Sequence, residues 1–450
     1  MDRDNLIKLL FEKGKKYGID EMEAYIVKNS SMDINIYEGN LEGYSIAEEN
    51  ALSLRGIYKG KMGYSYTEKL MEDSVDEIIK NLIQYAENNE NEYIEILADP
   101  KEQYTNREEK SNMLSKYTEE EKINFIKSIE KGALAFDERV SMVDSCSYEE
   151  HTNSVFIKNT NGLELETTYS VGTIGLSVIA KNEKDVQTGY SYMVISDLLD
   201  EHKNTLVKNA ANDAINMLGA TSIESGNYEI ILRNNVAANL FSTMSPIFLG
   251  SVVQRNLSLM KGKIGKNVGS SLLNIVDNPL LTNGRVYRTF DDEGVPTSIK
   301  YIVEKGILNT FLHNTITAKK EGMESTGNGF RTSHKSSIDV MPTNMYIEEG
   351  KTTLAEMIKS LDKGIIITDI QGLHAGINTV SGEFSISSSG FLIEKGHIYK
   401  PLCQITISGS FYEMLKDITA IGNDTMYSLP GMNYFGTPSI MLKSLTVAGK

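Results

Sequence analysis

The stretch Ala51-Leu52-Ser53-Leu54-Arg55-Gly56-Ile57-Tyr58 runs through Lys59-Gly60-Lys61 into Met62-Gly63-Tyr64-Ser65-Tyr66. Its alternating apolar residues, broken by a Lys-Gly turn, read as two antiparallel strands joined by a tight hairpin. Upstream, Glu23–Asn29, Met32–Tyr37 and Leu41–Glu48 alternate in the same way, with turns expected at Asn29-Ser30 and Glu38-Gly39-Asn40. The region is therefore an antiparallel meander. Ahead of it, Leu6, Leu9 and Leu10 predict an amphipathic helix over residues 5–17. After it, Leu70, Val75, Ile78, Ile79, Leu82 and Ile83 predict a helix over residues 67–87.

The same order recurs. A polar, Glu/Asn-rich stretch over residues 88–117 reads as a solvated linker. Thr118 and Glu121 form a capping-box pattern ahead of a helix over residues 123–136. Strands are expected over residues 139–148, 152–159, 163–180 (around Asn161-Gly162) and 186–195, then a helix over residues 197–218. Gly189-Tyr190-Ser191-Tyr192 echoes Gly63-Tyr64-Ser65-Tyr66, and each lies just before a long helix. Two successive units of helix, strands and helix follow from this. From Ser225 onward the chain is mostly short strands and Gly turns, with a helical stretch over residues 236–259 that breaks near Pro246. The expected fold class is α+β. Two N-terminal units, over residues 1–110 and 111–222, precede a large β-rich domain over residues 225–450.

Composition limits function. The 450 residues carry 45 Lys+Arg against 61 Asp+Glu, a formal net charge of −16. That argues against non-specific nucleic-acid binding and against docking on anionic lipid. Two cysteines, Cys146 and Cys403, give no disulfide framework, and a cytoplasmic location is expected. The charged N-terminus reads as no signal peptide, and no apolar run is long enough to span a membrane.

Catalytic motifs are scarce. His151, His202, His313, His334, His374 and His397 are scattered singly, so no pair shares a helical face as zincin chemistry requires. Gly262-Lys263-Ile264-Gly265-Lys266 lacks Walker spacing, and no Gly-x-Ser-x-Gly occurs. Asp291 and Asp292, within Asp291-Asp292-Glu293-Gly294, are a candidate acidic site, set against the plainer reading of an acidic turn. The loop Gly372–Glu383 follows the buried strand Ile365-Ile366-Ile367-Thr368. It gathers His374, Asn378, Ser381 and Glu383 as candidate substrate- or partner-binding residues. Its alternative is a tight loop whose polar groups cap their own backbone.

These stretches together resemble the TldD/PmbA family, named as modulators of DNA gyrase, in its PmbA (TldE) branch. The match is carried by Gln254-Arg255-Asn256-Leu257-Ser258, Lys263-Ile264-Gly265-Lys266, and Arg288-Thr289-Phe290-Asp291-Asp292-Glu293-Gly294-Val295-Pro296. It continues through Ala318, Ser325-Thr326-Gly327-Asn328-Gly329, Gly372-Leu373-His374-Ala375-Gly376-Ile377-Asn378, Ser381-Gly382-Glu383-Phe384-Ser385 and Leu445-Thr446-Val447-Ala448-Gly449. Near the N-terminus, Leu54-Arg55-Gly56 to Gly63-Tyr64 fits as well. The resemblance implies a cytosolic protease system for peptides and unfolded segments, in which a TldD subunit pairs with a PmbA/TldE subunit. It places zinc in the TldD subunit, on a His-Glu-x-x-x-His helix early in the third domain, with a Cys in a late loop. Here the corresponding helix, Val236–Pro246, has neither His nor Glu, and the loop Asn423–Phe435 has no Cys. The expectation is a peptidase subunit without catalytic residues or metal of its own. It would form a hetero-oligomer with a TldD-type chain, or a homodimer when alone, and hold extended peptides on the strand edges of the third domain. The rival readings are an independent hydrolase using His374 and the Asp291/Asp292 pair, and a peptide-binding regulator.

Overall fold

The computed structural model describes residues 2–90, 96–100, 104, 113–282, 284–429 and 434–450. Part of the expected linker over residues 88–117 lies outside the described residues. The first unit is α1 (Arg3–Lys16), β1 (Ile19–Tyr37), β2 (Asn40–Tyr58), β3 (Lys61–Thr67) and α2 (Val75–Asn88). The second repeats that order as α3 (Glu119–Leu134), β4 (Val140–Asn159), β5 (Glu164–Lys181), β6 (Val186–Ile195) and α4 (Asp200–Asn216). Thr118 and Glu121 make both bonds of the capping box at α3. Helix α2 begins later than expected, because Glu72–Ser74 forms a 3₁₀ turn ahead of it.

The turn expected at Asn29-Ser30 is absent. Strand β1 runs 19 residues straight through Asn29-Ser30, and β2 runs 19 residues through Glu48 to Ala51. The polar middle stays extended because β1 is paired on both sides. Ser30 lies opposite Glu48 on β2 and Thr152 on β4, and Asn29 bonds the side chains of Glu49 and Asn153. The true turns are Glu38-Gly39 and Lys59-Gly60, where both residues of each pair have positive φ. Two such residues match the twist of a tight hairpin.

The two units share one antiparallel sheet, ordered β3-β2-β1-β4-β5-β6 and joined by the β1–β4 pairing. That order is symmetric about the junction, and the Gly-Tyr-Ser-Tyr echo falls on its two edge strands. A Cβ on Gly63 would stand 2.3 Å from the Leu82 carbonyl oxygen of α2, and one on Gly189 would stand 2.1 Å from the Ala210 carbonyl oxygen of α4. Each glycine lets a helix backbone lie directly on an edge strand.

Residues 225–450 form two further six-stranded sheets and one two-stranded sheet. Their strands are β7 (Gly226–Leu232), β8 (Ile275–Asp277), β9 (Lys300–Glu304), β10 (Ile307–Leu308), β11 (Gly329–Phe330), β12 (Asp339–Val340) and β13 (Met345–Ile347). They continue with β14 (Lys363–Gln371), β15 (Glu383–Glu394), β16 (His397–Ser410), β17 (Ile418–Ile421), β18 (Met426–Tyr427), β19 (Phe435–Thr437) and β20 (Ile440–Ala448). The order β16-β15-β14-β7-β20-β17 closes on itself through β16–β20, and β10-β9-β8-β13-β19-β18 packs beside it. Between them lies α5 (Asn234–Met244), whose Phe241 meets Phe411 and Phe435 at ring distances of 4.9 and 5.4 Å. The helical stretch expected over residues 236–259 is in three pieces, because Pro246 opens a 3₁₀ turn between α5 and the short α6 (Gly250–Gln254).

The third region is fastened to the long sheet by Phe290, which packs against Tyr25, Val27, Val155 and Ile157. Beside it, the buried Arg55 donates to Glu23 at 2.6 and 3.0 Å, and also to the Glu293 carbonyl at 3.4 Å.

Candidate functional site

The parallel strands β7 and β14 end side by side, and α5 starts where β7 stops. A chain reversal at the carboxyl ends of parallel strands opens a crevice there. The crevice has a volume of about 780 Å³ and is walled by β6 and α4 of the second unit, the start of α5, and residues of β14 to β16. Every residue from Val186 to Tyr192 lines it. Strand β6 pairs only with β5, so its outer edge faces this cleft.

Arg233 sets the geometry. Its guanidinium forks onto Asp213 of α4 at 2.6 and 2.7 Å, and it also donates to the Thr368 carbonyl at 2.9 Å. Its Nε holds Asn235 Oδ1 at 2.7 Å. The Asn234 side-chain Nδ2 donates to the Asp424 carbonyl at 2.6 Å, and Asn235 Nδ2 donates to the Thr368 carbonyl at 3.0 Å. Asn239, one turn along α5, lines the same wall. Planar Arg–carboxylate pairing fixes orientation as well as contact. Helix α5 is thereby registered against the second unit.

The remaining lining mixes hydroxyl, carboxamide and aromatic groups (Ser387–Ser389, Gln371, Gln404, Tyr190 and Tyr192) with aliphatic ones such as Met217, Leu354 and Met426, and Asp369 and Asp424 are further acids. Neither His nor Glu is among the described lining residues. Cys403 reaches this cleft from the adjoining strand, where burial pushes its thiol up, away from thiolate chemistry. Cys146 lies elsewhere in the core, its thiol pushed up to about 12 by burial. The arrangement offers a peptide many hydrogen bonds and an open strand edge.

The residues picked out from the sequence lie elsewhere. The loop Gly372–Glu383 contains the single-turn α9 (Leu373–Gly376) and then closes on itself. Asn378 Oδ1 accepts from the Val380 and Ser381 amides at 3.0 and 3.1 Å, and Ser381 Oγ accepts from the Glu383 amide at 3.3 Å. Asn378 and Glu383 border an open depression with Ser408, Ser410 and Thr446. His374 and Ser381 are outside that lining, and none of the four lines the α5 cleft.

Asp291 and Asp292 are fully buried. Asp291 accepts from the amides of Glu293, Val295 and Gly329 at 3.0, 2.9 and 2.8 Å. Burial and the neighbouring Glu293 push its carboxyl above the usual carboxylate range. Asp292 takes Arg288 at 2.7 Å and the Arg331 amide at 2.8 Å. Asp291 closes the motif's own turn, and both carboxylates tie it to the backbone of residues 329–331.

One group with metal-ligating atoms does come together among the described residues. His334 stands 2.8 Å from Glu49 and 3.2 Å from Glu68, and Lys335 lies 2.8 Å from the same Glu68 oxygen. The ammonium occupies the carboxylate that a cation would need. Distant sequence positions build this group, so local spacing gave no sign of it.

Three family profiles match in chain order: PmbA/TldA metallopeptidase domain 1 over residues 22–86, the central domain over 113–218 and the C-terminal domain over 225–449. The chain belongs to the PmbA/TldD family. A metalloprotease PmbA homolog of Haemophilus influenzae is 29% identical over 322 residues, covering 71% of this chain and 68% of that one. A metalloprotease TldD homolog of Buchnera aphidicola is 27% identical over 459 residues, covering 96% and 93%. The crystal structure of a Thermotoga maritima protein titled as a modulator of a DNA gyrase superposes with a TM-score of 0.91. It is 31% identical, over 99% of this chain and 100% of that one. Relatives named for both branches therefore span this family member, and the side chains of α5 become the informative feature.

Proposed function

We propose that this chain is the PmbA/TldE-type subunit of a cytoplasmic TldD–TldE metalloprotease, binding unfolded peptide without cutting it. The observation that carries the reading is the start of α5. The resemblance places the TldD branch's His-Glu-x-x-x-His on the helix corresponding to Val236–Pro246, and neither His nor Glu occurs from Asn234 to Pro246. Zinc is held by imidazole, thiolate and carboxylate, and the start of α5 offers carboxamides instead, at Asn234, Asn235 and Asn239. Asn234 and Asn235 moreover spend their amide groups on neighbouring carbonyls. Hydrolysis at a metal-bound water would then come from the TldD-type partner.

The peptide-holding mode expected on the third domain moves to β6. The β16–β20 pairing closes one of the two six-stranded C-terminal sheets apart from the four-residue β17, while the long β6 edge faces the cleft. Main-chain pairing along β6 suits peptides of varied sequence and requires them to be extended.

The test is peptidase activity on an unstructured peptide with this chain alone, a TldD-type chain of the same organism alone, and both together, with metal analysis of each. The expected result is stable co-purification, zinc in the partner only, and EDTA-sensitive cleavage that the mixture performs best. Cleavage by this chain alone at the rate of the mixture, insensitive to EDTA, overturns the reading in favour of an independent hydrolase.

A further inference from the structure

A second cavity, of about 270 Å³, lies where the long sheet meets the third region and shares no lining residue with the α5 cleft. Tyr25, Asn153 and Tyr169 line it from β1, β4 and β5. Arg285, Arg288, Asp292, Phe330, Arg331, Met341, Pro342 and Tyr434 are among those closing it from the other side. Arg288 and Arg331 line it beside the carboxylate of Asp292, with Arg285 at its rim.

The polar atoms here are unusually idle. Arg288 Nε, both Nε and Nη2 of Arg331, and the Tyr434 hydroxyl are buried without a hydrogen-bond partner among the described residues. Arg288 and Tyr434 are 3% and 2% exposed, so bulk water does not serve them. Buried donors are ordinarily paired, and a cluster of unpaired ones marks a place that something else fills. Arg288 is balanced by Asp292 at 2.7 Å. Arg331 has no carboxylate partner among the described residues; its guanidinium lies 4.7 Å over the Tyr25 ring.

We infer that this cavity binds a carboxylate carrying a short apolar body. The edge of the Arg331 guanidinium presents two parallel N–H donors, the geometry that takes up a carboxylate in bidentate fashion. Arg288 Nε and the Tyr434 hydroxyl are further unpaired donors on residues that line the same cavity. Tyr25, Tyr169, Phe330, Met341 and Pro342 accept the apolar part, and the volume suits a body the size of one amino-acid side chain. Two sources share that chemistry: the C-terminal residue of a peptide, and a free small carboxylic acid. The inference stands whether or not the chain pairs with a TldD-type subunit.

The test is titration calorimetry on the full chain with N-acetyl-leucine, N-acetyl-leucinamide, an unstructured pentapeptide ending in leucine as acid and as amide, and inorganic phosphate. The acids should bind, and each amide at least about tenfold more weakly, the loss of one charge-assisted pair. Arg331→Met should lower acid affinity by at least about tenfold, and Tyr434→Phe, which keeps the ring stack, by a smaller factor. Tighter binding of the peptide acid than of N-acetyl-leucine assigns the site to peptide ends, and the reverse assigns it to free acids. Equal binding of acid and amide, binding of phosphate alone, or acid binding unchanged in both variants overturns the assignment. The Tyr434→Phe arm keeps the test decisive if Arg331→Met fails to fold.

Discussion

Gly189→Ala is the sharpest test of how α4 sits on the long sheet. The new Cβ would meet the Ala210 carbonyl oxygen at 2.1 Å and the Ala214 amide nitrogen at 2.5 Å, both backbone atoms of α4. Ordinary contact begins more than 1 Å further out, and a helix backbone cannot rotate away as a side chain can. Overpacking of this kind costs about 1–3 kcal/mol. Replacing a strand glycine by alanine returns roughly 0.5–1 kcal/mol of backbone entropy. The net expectation is a loss of about 1 kcal/mol, or a melting temperature lower by about 2–4 °C for a unit of some 150–250 residues. Gly132→Ala is the matched control. Its Cβ would meet only Val207 at 3.6 Å, inside α3, so it should stabilise by roughly 0.5–1 kcal/mol. Thermal and urea melts read both, and hydrogen exchange should localise the Gly189→Ala effect to β6 and α4. If Gly189→Ala is as stable as the starting protein, or no worse than Gly132→Ala, the direct seating of α4 on β6 is wrong.

Arg55→Met strands the Glu23 carboxylate in the core and should cost about 3–5 kcal/mol, with much of that restored in a Glu23→Leu/Arg55→Met double variant. Urea midpoints of the single and double variants check it. His313 is buried, and burial lowers its pKa below the ordinary 6.5, only partly opposed by Glu321. The unfolded chain therefore binds the extra proton first as pH falls. The stability that the neutral ring allows is present above about pH 7 and is lost on acidification through 6.5. His313→Gln should flatten the dependence of melting temperature on pH between 7 and 5.5, and an unchanged slope would count against the buried neutral ring.

Local chemistry was legible in the sequence. The hairpins at Glu38-Gly39 and Lys59-Gly60, the capping box at Thr118 and the 186–195 strand follow from neighbours within a few residues. Strand length was not legible, because what keeps Asn29-Ser30 extended is pairing with β4, more than a hundred residues away. Barrel closure failed to show for the same reason, since β16 meets β20 only in three dimensions. In the candidate loop the polar side chains that looked like binding groups, Asn378 and Ser381, sit beside glycines, and such residues bond their own backbone first. The cleft joins Asp213, Arg233, Thr368 and Asp424, and no window of sequence contains that set. The one local sign was the run Arg233-Asn234-Asn235 where a buried strand gives way to a helix.

The duplicated units explain why only one of them borders this cleft. Their Gly-Tyr-Ser-Tyr motifs occupy equivalent edges, so the repeat alone would offer two similar surfaces. The third region distinguishes them. On β3, Tyr66 stays half exposed against the ring of His334, and the His334 carbonyl accepts from Ser53 on the neighbouring strand. On β6, the equivalent Tyr192 is buried and donates to the Tyr427 carbonyl at 2.9 Å. Tyr427 in turn stacks on Tyr434, which walls the carboxylate cavity. The aromatic stack thus stands between the α5 cleft and the cavity beyond it. In the first unit Tyr64, Ser65 and Tyr66 wall a separate cavity of about 980 Å³ against His334 and Lys335 of the third region, and in the second the same motif walls the α5 cleft. What differs is the partner that folding brings to each edge, so the capacity to hold a ligand belongs to the junction with the third region and not to the repeat itself.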